Sequence, residues 1–133
     1  MKKTYFISGH REVSQGEFDR LYKPILDDLV MDPENYFVVG DYWGVDEMAQ
    51  TFLAEVLAEL KQEDRVTVYH MFEKPRVLKS GKFKTKGGFT GDEARDAAMT
   101  RESDEDIAFV RPGKRNSGTA QNIIRRVELL WGE

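Results

Sequence analysis

The strongest constraint on this chain is an alternation. Short, nearly continuous apolar runs take turns with longer segments in which apolar residues recur at helical spacing. The runs cover residues 4–8, 36–40, 66–71 and 107–110, and each is rich in β-branched or aromatic side chains. A strand that is apolar on successive residues is covered on both faces, as in a parallel sheet; a strand wetted on one face alternates. The first helical segment places Phe18, Leu21, Tyr22, Ile25 and Leu29 on one side. Ser14 and Glu17 open it as a capping box, and Pro24 should kink it or cut it short. The second carries the longest stripe, Val45, Met48, Ala49, Phe52, Leu53, Val56, Leu57 and Leu60. A third is expected from Thr90, with Glu93 as its capping partner, to Glu102 or Ser103. The fourth spans 118–131, with Ala120, Ile123, Ile124, Val127, Leu130 and Trp131 turned inward. Strand and helix in strict succession predict an α/β protein: a three-layer, Rossmann-like fold with a mainly parallel sheet. With 133 residues the chain is long enough to bury a core as one domain, residues 1–133.

One stretch breaks the rhythm. Residues 73–89 show no period, and their glycines are mixed with Lys79, Lys82, Lys84 and Lys86. Connections this long are functional lids or solvated linkers. The segment is therefore read as a basic loop that closes over an anion, or as a mobile connection.

Charge and composition remove several classes of function. The formal net charge is −4, which disfavours a protein that coats nucleic acid. The chain has no cysteine and two histidines, His10 and His70, so neither a thiolate metal site nor a zinc cluster is expected. No cofactor is implied. The apolar run behind the first lysines ends at Ser8, too short for a secretory signal, and no later stretch could span a membrane. A cytoplasmic location is expected.

In an open parallel sheet, ligands bind outside the carboxyl ends of the strands, so the loops that follow strands matter most. The first is Gly9-His10-Arg11. The second, GDYWGVDEMA, leaves its strand at Gly40 and enters a helix near Gly44, with Asp41 and Asp46 beside it. The third is the lysine-bearing loop. The last, RPGKRNSGTAQN, enters the final helix around Ser117, Gly118 and Thr119. Three of these loops pair glycines with a helix N-terminus, where a close backbone and free N–H groups attract phosphate. Each alone is better explained by a steric turn; together, on one sheet edge, they form a candidate anion site. Gly113 to Arg115 would add grip. Tyr42 and Trp43 could stack on a base or cover the core edge. The acidic run Glu102, Asp104, Glu105 and Asp106 reads as a solvated turn.

These segments resemble the SLOG superfamily, the Rossmann-like proteins that include the LOG phosphoribohydrolases and the DprA-type DNA-binding proteins. GDYWGVDEMA is similar to its G-x-x-x-G-x-D-x-x-A turn. The segment from Arg95 to Val110 is similar to R-[NK]-x-x-M-x-x-x-[AS]-D-x-x-I-A-F, and SGTAQN to the G-G-x-G-T phosphate loop. With ISGHR at the start, the likeness spans nearly the whole chain in order. It implies a nucleotide site with Gly9, His10 and Arg11 from the first loop and Gly40, Gly44 and Asp46 from the second. Arg95 would lie near ribose and base, and Ser117, Gly118 and Thr119 would hold phosphate. One departure stands out. LOG enzymes continue G-T-x-x-E, and that glutamate is catalytic; here the position is Asn122. An amide supplies neither the negative charge nor the base that glycoside cleavage needs.

Two readings follow from the resemblance, with no catalytic residue assigned. The first is a binder of a nucleotide or phosphorylated nucleoside, acting as sensor, carrier or sequestering protein. The alternative is an N-glycosidic hydrolase or transferase, of phosphoribohydrolase or nucleoside deoxyribosyltransferase kind, in which Asp46, Asp41 or Glu93 would have to replace the missing carboxylate. A single-strand DNA binder of DprA kind is disfavoured by charge. The resemblance also implies a homodimer paired through helices.

Overall fold

A computed structural model describes residues 2–114 and 117–131. Its strands are β1 (Lys3–Ile7), β2 (Asn35–Gly40), β3 (Val66–Met71), β4 (Lys84–Phe89) and β5 (Glu105–Ile107). Its helices are α1 (Gln15–Leu21), α2 (Lys23–Leu29), α3 (Val45–Leu60), α4 (Asp92–Arg101) and α5 (Gly118–Trp131). The strands form one sheet in the order β4-β3-β2-β1-β5, and every pairing is parallel. The chain therefore winds outward from β1 to β4, then returns across the sheet to place β5 on the other side of β1.

Alternation along the strands sorts the core into two layers. Tyr5, Ile7, Phe37, Val39, Val66 and Val68 face one way, against Phe18 of α1, Leu26 of α2 and Ala49, Leu53 and Leu57 of α3. Phe6, Val38 and Tyr69 face the other way, against Ala98 and Met99 of α4. Helix α5 packs on α4 and β5. The result is the expected three-layer α/β, Rossmann-like sandwich. The expected capping box is formed: Ser14 Oγ accepts from the Glu17 N–H at 3.1 Å, and Glu17 Oε1 accepts from the Ser14 N–H at 3.2 Å. Pro24 lies in the first turn of α2, so the first helical segment is cut into two short helices at Tyr22.

Four expectations need correction. Residues 73–89 are not one loop, because 84–89 form the edge strand β4, which pairs with β3 through its backbone. The crossover before it holds no helix. Instead Val77 and Phe83 are buried, and Gln50 of α3 ties the segment down: its amide nitrogen donates to Val77 O at 3.1 Å, and its oxygen accepts from the Lys79 N–H at 2.9 Å. The strand expected at 107–110 is shifted to β5, and the backbone beyond Ile107 bonds to side chains instead. Phe109 N–H donates to the Tyr22 hydroxyl at 3.2 Å, and Arg111 N–H to His10 Nε2 at 3.1 Å. No Thr90–Glu93 capping box forms; Gly91 is the N-cap of α4, without a side-chain cap.

The last correction concerns α5. Its buried residues are Thr119, Ala120, Asn122 and Arg126, whereas Ile124, Val127, Leu130 and Trp131 are exposed. The polar face goes inward because it has partners there. Arg126 donates from Nη1 to Ser103 O at 2.8 Å and pairs with Asp106 at 3.0 Å, pinning α5 to the start of β5. The acidic run is knitted into the same edge. Asp104 Oδ2 accepts from the Thr4 N–H at 2.8 Å and Glu105 pairs with Lys3 at 2.9 Å, whereas Glu102 reaches β3 and accepts from the Tyr69 hydroxyl at 2.6 Å. Among the described residues no helix is long and apolar enough to cross a membrane.

Burial sets the expected cost of truncation. Leu53 is fully buried in the larger core layer, and Leu53→Ala should lower the stability by about 2–5 kcal/mol. Trp131 is 83% exposed, so the far larger deletion Trp131→Ala should stay within about 0.5 kcal/mol. Urea denaturation of the two variants measures both values.

Candidate functional site

The end of β1 fixes the site. Gly9 is a glycine because of what lies against it: a Cβ there would run into Val45, and would stand 2.5 Å from the Tyr22 hydroxyl. Gly44 needs its φ of +82° at the entrance to α3, and a Cβ there would come 2.5 Å from Arg11 Cα and 2.6 Å from His10 O. The two loops are thus in direct backbone contact. His10 joins the last loop to them, because its Nε2 accepts the Arg111 N–H. That bond leaves the ring proton on Nδ1. Burial, and then the nearby Arg111 charge, lower the His10 pKa, so the ring is a neutral fastener rather than a cation.

Between these loops and α4 lies a cavity of about 210 Å³ at the carboxyl ends of the strands. It sits beside β1, where the chain reverses its direction across the sheet, the place where open α/β sheets take ligands. Eight of the ten expected residues line it: Gly9, His10, Arg11, Gly40, Asp46, Arg95, Gly118 and Thr119. Gly44 does not line it and instead supports the first loop. Ser117 does not line it either. Its Oγ accepts the Ala120 N–H at 3.1 Å as a helix cap, which leaves the N–H groups of Gly118 and Thr119 without partners among the described residues. Arg115 lies outside the described residues.

The walls of the cavity carry opposite charge. Arg11 is exposed, stands 5.8 Å and 5.3 Å from the ring centres of Tyr42 and Trp43, and pairs with no carboxylate among the described residues. The same cavity is lined by Asp46, Asp92 and Asp96. Arg95 is committed to that wall: Nη1 pairs with Asp41 at 2.7 Å and with Asp92 at 3.3 Å, and Nη2 pairs with Asp96 at 2.9 Å. Its guanidinium therefore shapes the cavity through carboxylates. Asp41, without exposed surface, also pairs with Arg76 at 2.8 Å. Burial alone would raise the Asp41 pKa, but the hydrogen bonds from Arg76 and the charge of Arg95 hold it below the usual range.

The lysines of residues 73–89 do not reach this cavity. Lys79 pairs with Glu47 at 3.1 Å, Lys82 with Glu63 at 3.9 Å and Lys86 with Glu102 at 2.6 Å, and Lys84 lies on the exposed strand β4. The basic segment is a braced crossover and edge strand, with no lysine over the site. Sequence reasoning missed Asp92 and Asp96, one turn apart on α4 on either side of Arg95, and gave Asp41 no structural role. The available signal was the i, i+4 spacing of the two aspartates around an arginine already singled out. Asn122 also lines the cavity. Burial raises the Asp96 pKa, against Arg95 and then the Asn122 amide, which favour the charged form. Among the described residues no group of histidines and carboxylates is arranged to hold a metal ion.

Fold and cavity together define a parallel α/β protein with a polar pocket at its topological switch point. Compared with family models, curated proteins and solved structures, the chain matches none of them.

Asp46 makes the site measurable through stability. Burial pushes its pKa from 3.8 up to about 7, with the Arg95 charge opposing. A raised carboxyl pKa stabilises the fold below the unfolded value, and that contribution is lost as pH rises towards the folded value. Asn does not titrate. Asp46→Asn should therefore gain thermal stability relative to the parent between pH 4 and pH 7, the gain levelling above that, as paired melting curves would record. A constant offset across this range would show that Asp46 is not held in its neutral form.

Proposed function

We propose that the cavity binds a nucleotide or phosphorylated nucleoside derivative, as a sensor, carrier or sequestering protein. The observation that carries this reading is the meeting, among the described residues, of an arginine that pairs with no carboxylate and a helix start whose first N–H groups have no partner. Arg11, Gly118 and Thr119 line the same cavity, and phosphate is the ligand that a guanidinium and a helix start favour. The carboxylates of the same lining suit the hydroxyl and amino donors of a nucleoside. The resemblance to the SLOG superfamily supports the same reading.

A thermal-shift screen over nucleoside mono- and diphosphates, dinucleotides and cyclic dinucleotides tests it, since ligand at about 100 times its Kd adds about 2.7 kcal/mol. Two variants locate the phosphate. Arg11→Ala should weaken binding by about 1.5–3 kcal/mol, the range for a hydrogen bond to a charged group, with little change in stability. A Cβ on Gly118 would meet nothing within 4 Å, so Gly118→Val should fold and yet exclude the ligand from the helix start. Calorimetric titration showing full affinity in both variants would remove the phosphate from this end of the cavity.

A second reading is favoured by one feature. The carboxylate absent at Asn122 is present next to it as Asp96, supplied from α4 into the same cavity. An N-glycosidic hydrolase or transferase could use that group as base or as stabiliser of a developing sugar cation. Release of free base from a nucleoside monophosphate, followed by chromatography and abolished by Asp96→Asn, would establish it. Binding without turnover leaves the first reading.

A further inference from the structure

Asp46 is a buried carboxyl group whose surroundings leave it incompletely bonded. Its Oδ2 accepts one backbone N–H, from Tyr42, at 3.2 Å. The adjacent cation does not serve it: Arg95 gives Nη1 to Asp41 and both Nε and Nη2 to Asp96. No salt bridge reaches Asp46 among the described residues. Gly40 forms the wall behind it, since a Cβ there would come 2.6 Å from Asp46 Oδ2 and 3.0 Å from Arg95 Cζ. A carboxylate has roughly four acceptor sites, and a buried one with a single donor is costly. Only the cavity side remains from which further donors can come.

The chemistry of those donors is narrow. A phosphate is repelled, because Asp41, Asp92 and Asp96 surround the same arginine. An ammonium group would meet the Arg95 guanidinium packed against the same glycine. Two adjacent neutral hydroxyls meet neither objection, and by donating to Asp46 they favour its ionised, acceptor-only form. We infer that Asp46 selects the sugar of the ligand: it accepts hydrogen bonds from the vicinal diol of a ribose and so discriminates against 2′-deoxyribose. The inference rests on the proposed phosphorylated-nucleoside site and assigns one end of it. The phosphate lies with Arg11 and α5, and the diol lies against Asp46. The competing role is purely local, since Asp46 stands in the first turn of α3, where an acidic residue favours the helix dipole.

Calorimetric titration with matched ribo- and 2′-deoxyribonucleoside 5′-monophosphates separates the two. At pH 8, where Asp46 is ionised, the parent should bind the ribonucleotide about tenfold or more tightly, the factor for losing a hydrogen bond to a charged group. Asp46→Asn, of the same shape, should lose most of that preference, its affinity falling further for the ribonucleotide than for the deoxynucleotide. Melting curves confirm that the variant is folded. Equal affinity of the parent for both sugars overturns the inference and leaves the phosphate site standing, as does a ribose preference that survives in Asp46→Asn. If no nucleotide binds at all, the reading of the cavity fails and the inference fails with it.

Discussion

Asp41 is the carboxylate on which the arrangement of this end of the molecule depends. It follows β2 directly, has no exposed surface, and accepts from Arg76 on the crossover and Arg95 on α4. One group thus joins three segments distant in sequence. A buried carboxylate is costly unless its oxygens are filled, and here two guanidinium groups and the Arg76 N–H fill them. The crossover from β3 to β4 has no helix to pack with, so this attachment, with that of Gln50, gives it a fixed course. Arg95 is held by the same carboxylate, and with it the acidic wall of the cavity.

The legible part of the fold was the part decided by apolar burial. The strands β1 to β3 and the stripe of α3 are recognisable because their side chains pack on two layers, and apolar periodicity reports packing. Strand β4 escaped for the converse reason. Its sequence, KTKGGF, puts almost nothing into the core, and it belongs to the sheet through backbone bonds to β3 that leave no side-chain signature. The face of α5 was misjudged on the same logic. Apolar residues were assigned inward, but Arg126 reaches Ser103 and Asp106 on that side and the apolar residues are left outside.

In the site, the glycines and the helix start were legible because turns and helix entries have local sequence rules. Gly9, Gly40, Gly118 and Thr119 all line the cavity. What local rules do not carry is the choice of partners. Arg95 was expected near ribose and base, yet its nitrogens bond to Asp41 and Asp96, and His10, expected in the nucleotide site, also accepts a backbone N–H from a residue 101 positions away. Pairings across such separations are set by the fold, and one sequence read alone does not encode them in any short pattern.

The two edges of the sheet end differently, and both endings bear on how the molecule behaves in a crowd. An open strand edge is a template onto which another chain can add, and proteins blunt it with charge or brevity. On one side β4 presents Lys84 and Lys86 among exposed residues, so a second strand approaching it would bring its backbone against ammonium groups. On the other, β5 is three residues long and is fastened by Asp106 to Arg126. Lys84 and Lys86 therefore have a use away from the cavity: charge on the growing edge of a parallel sheet discourages a neighbouring strand.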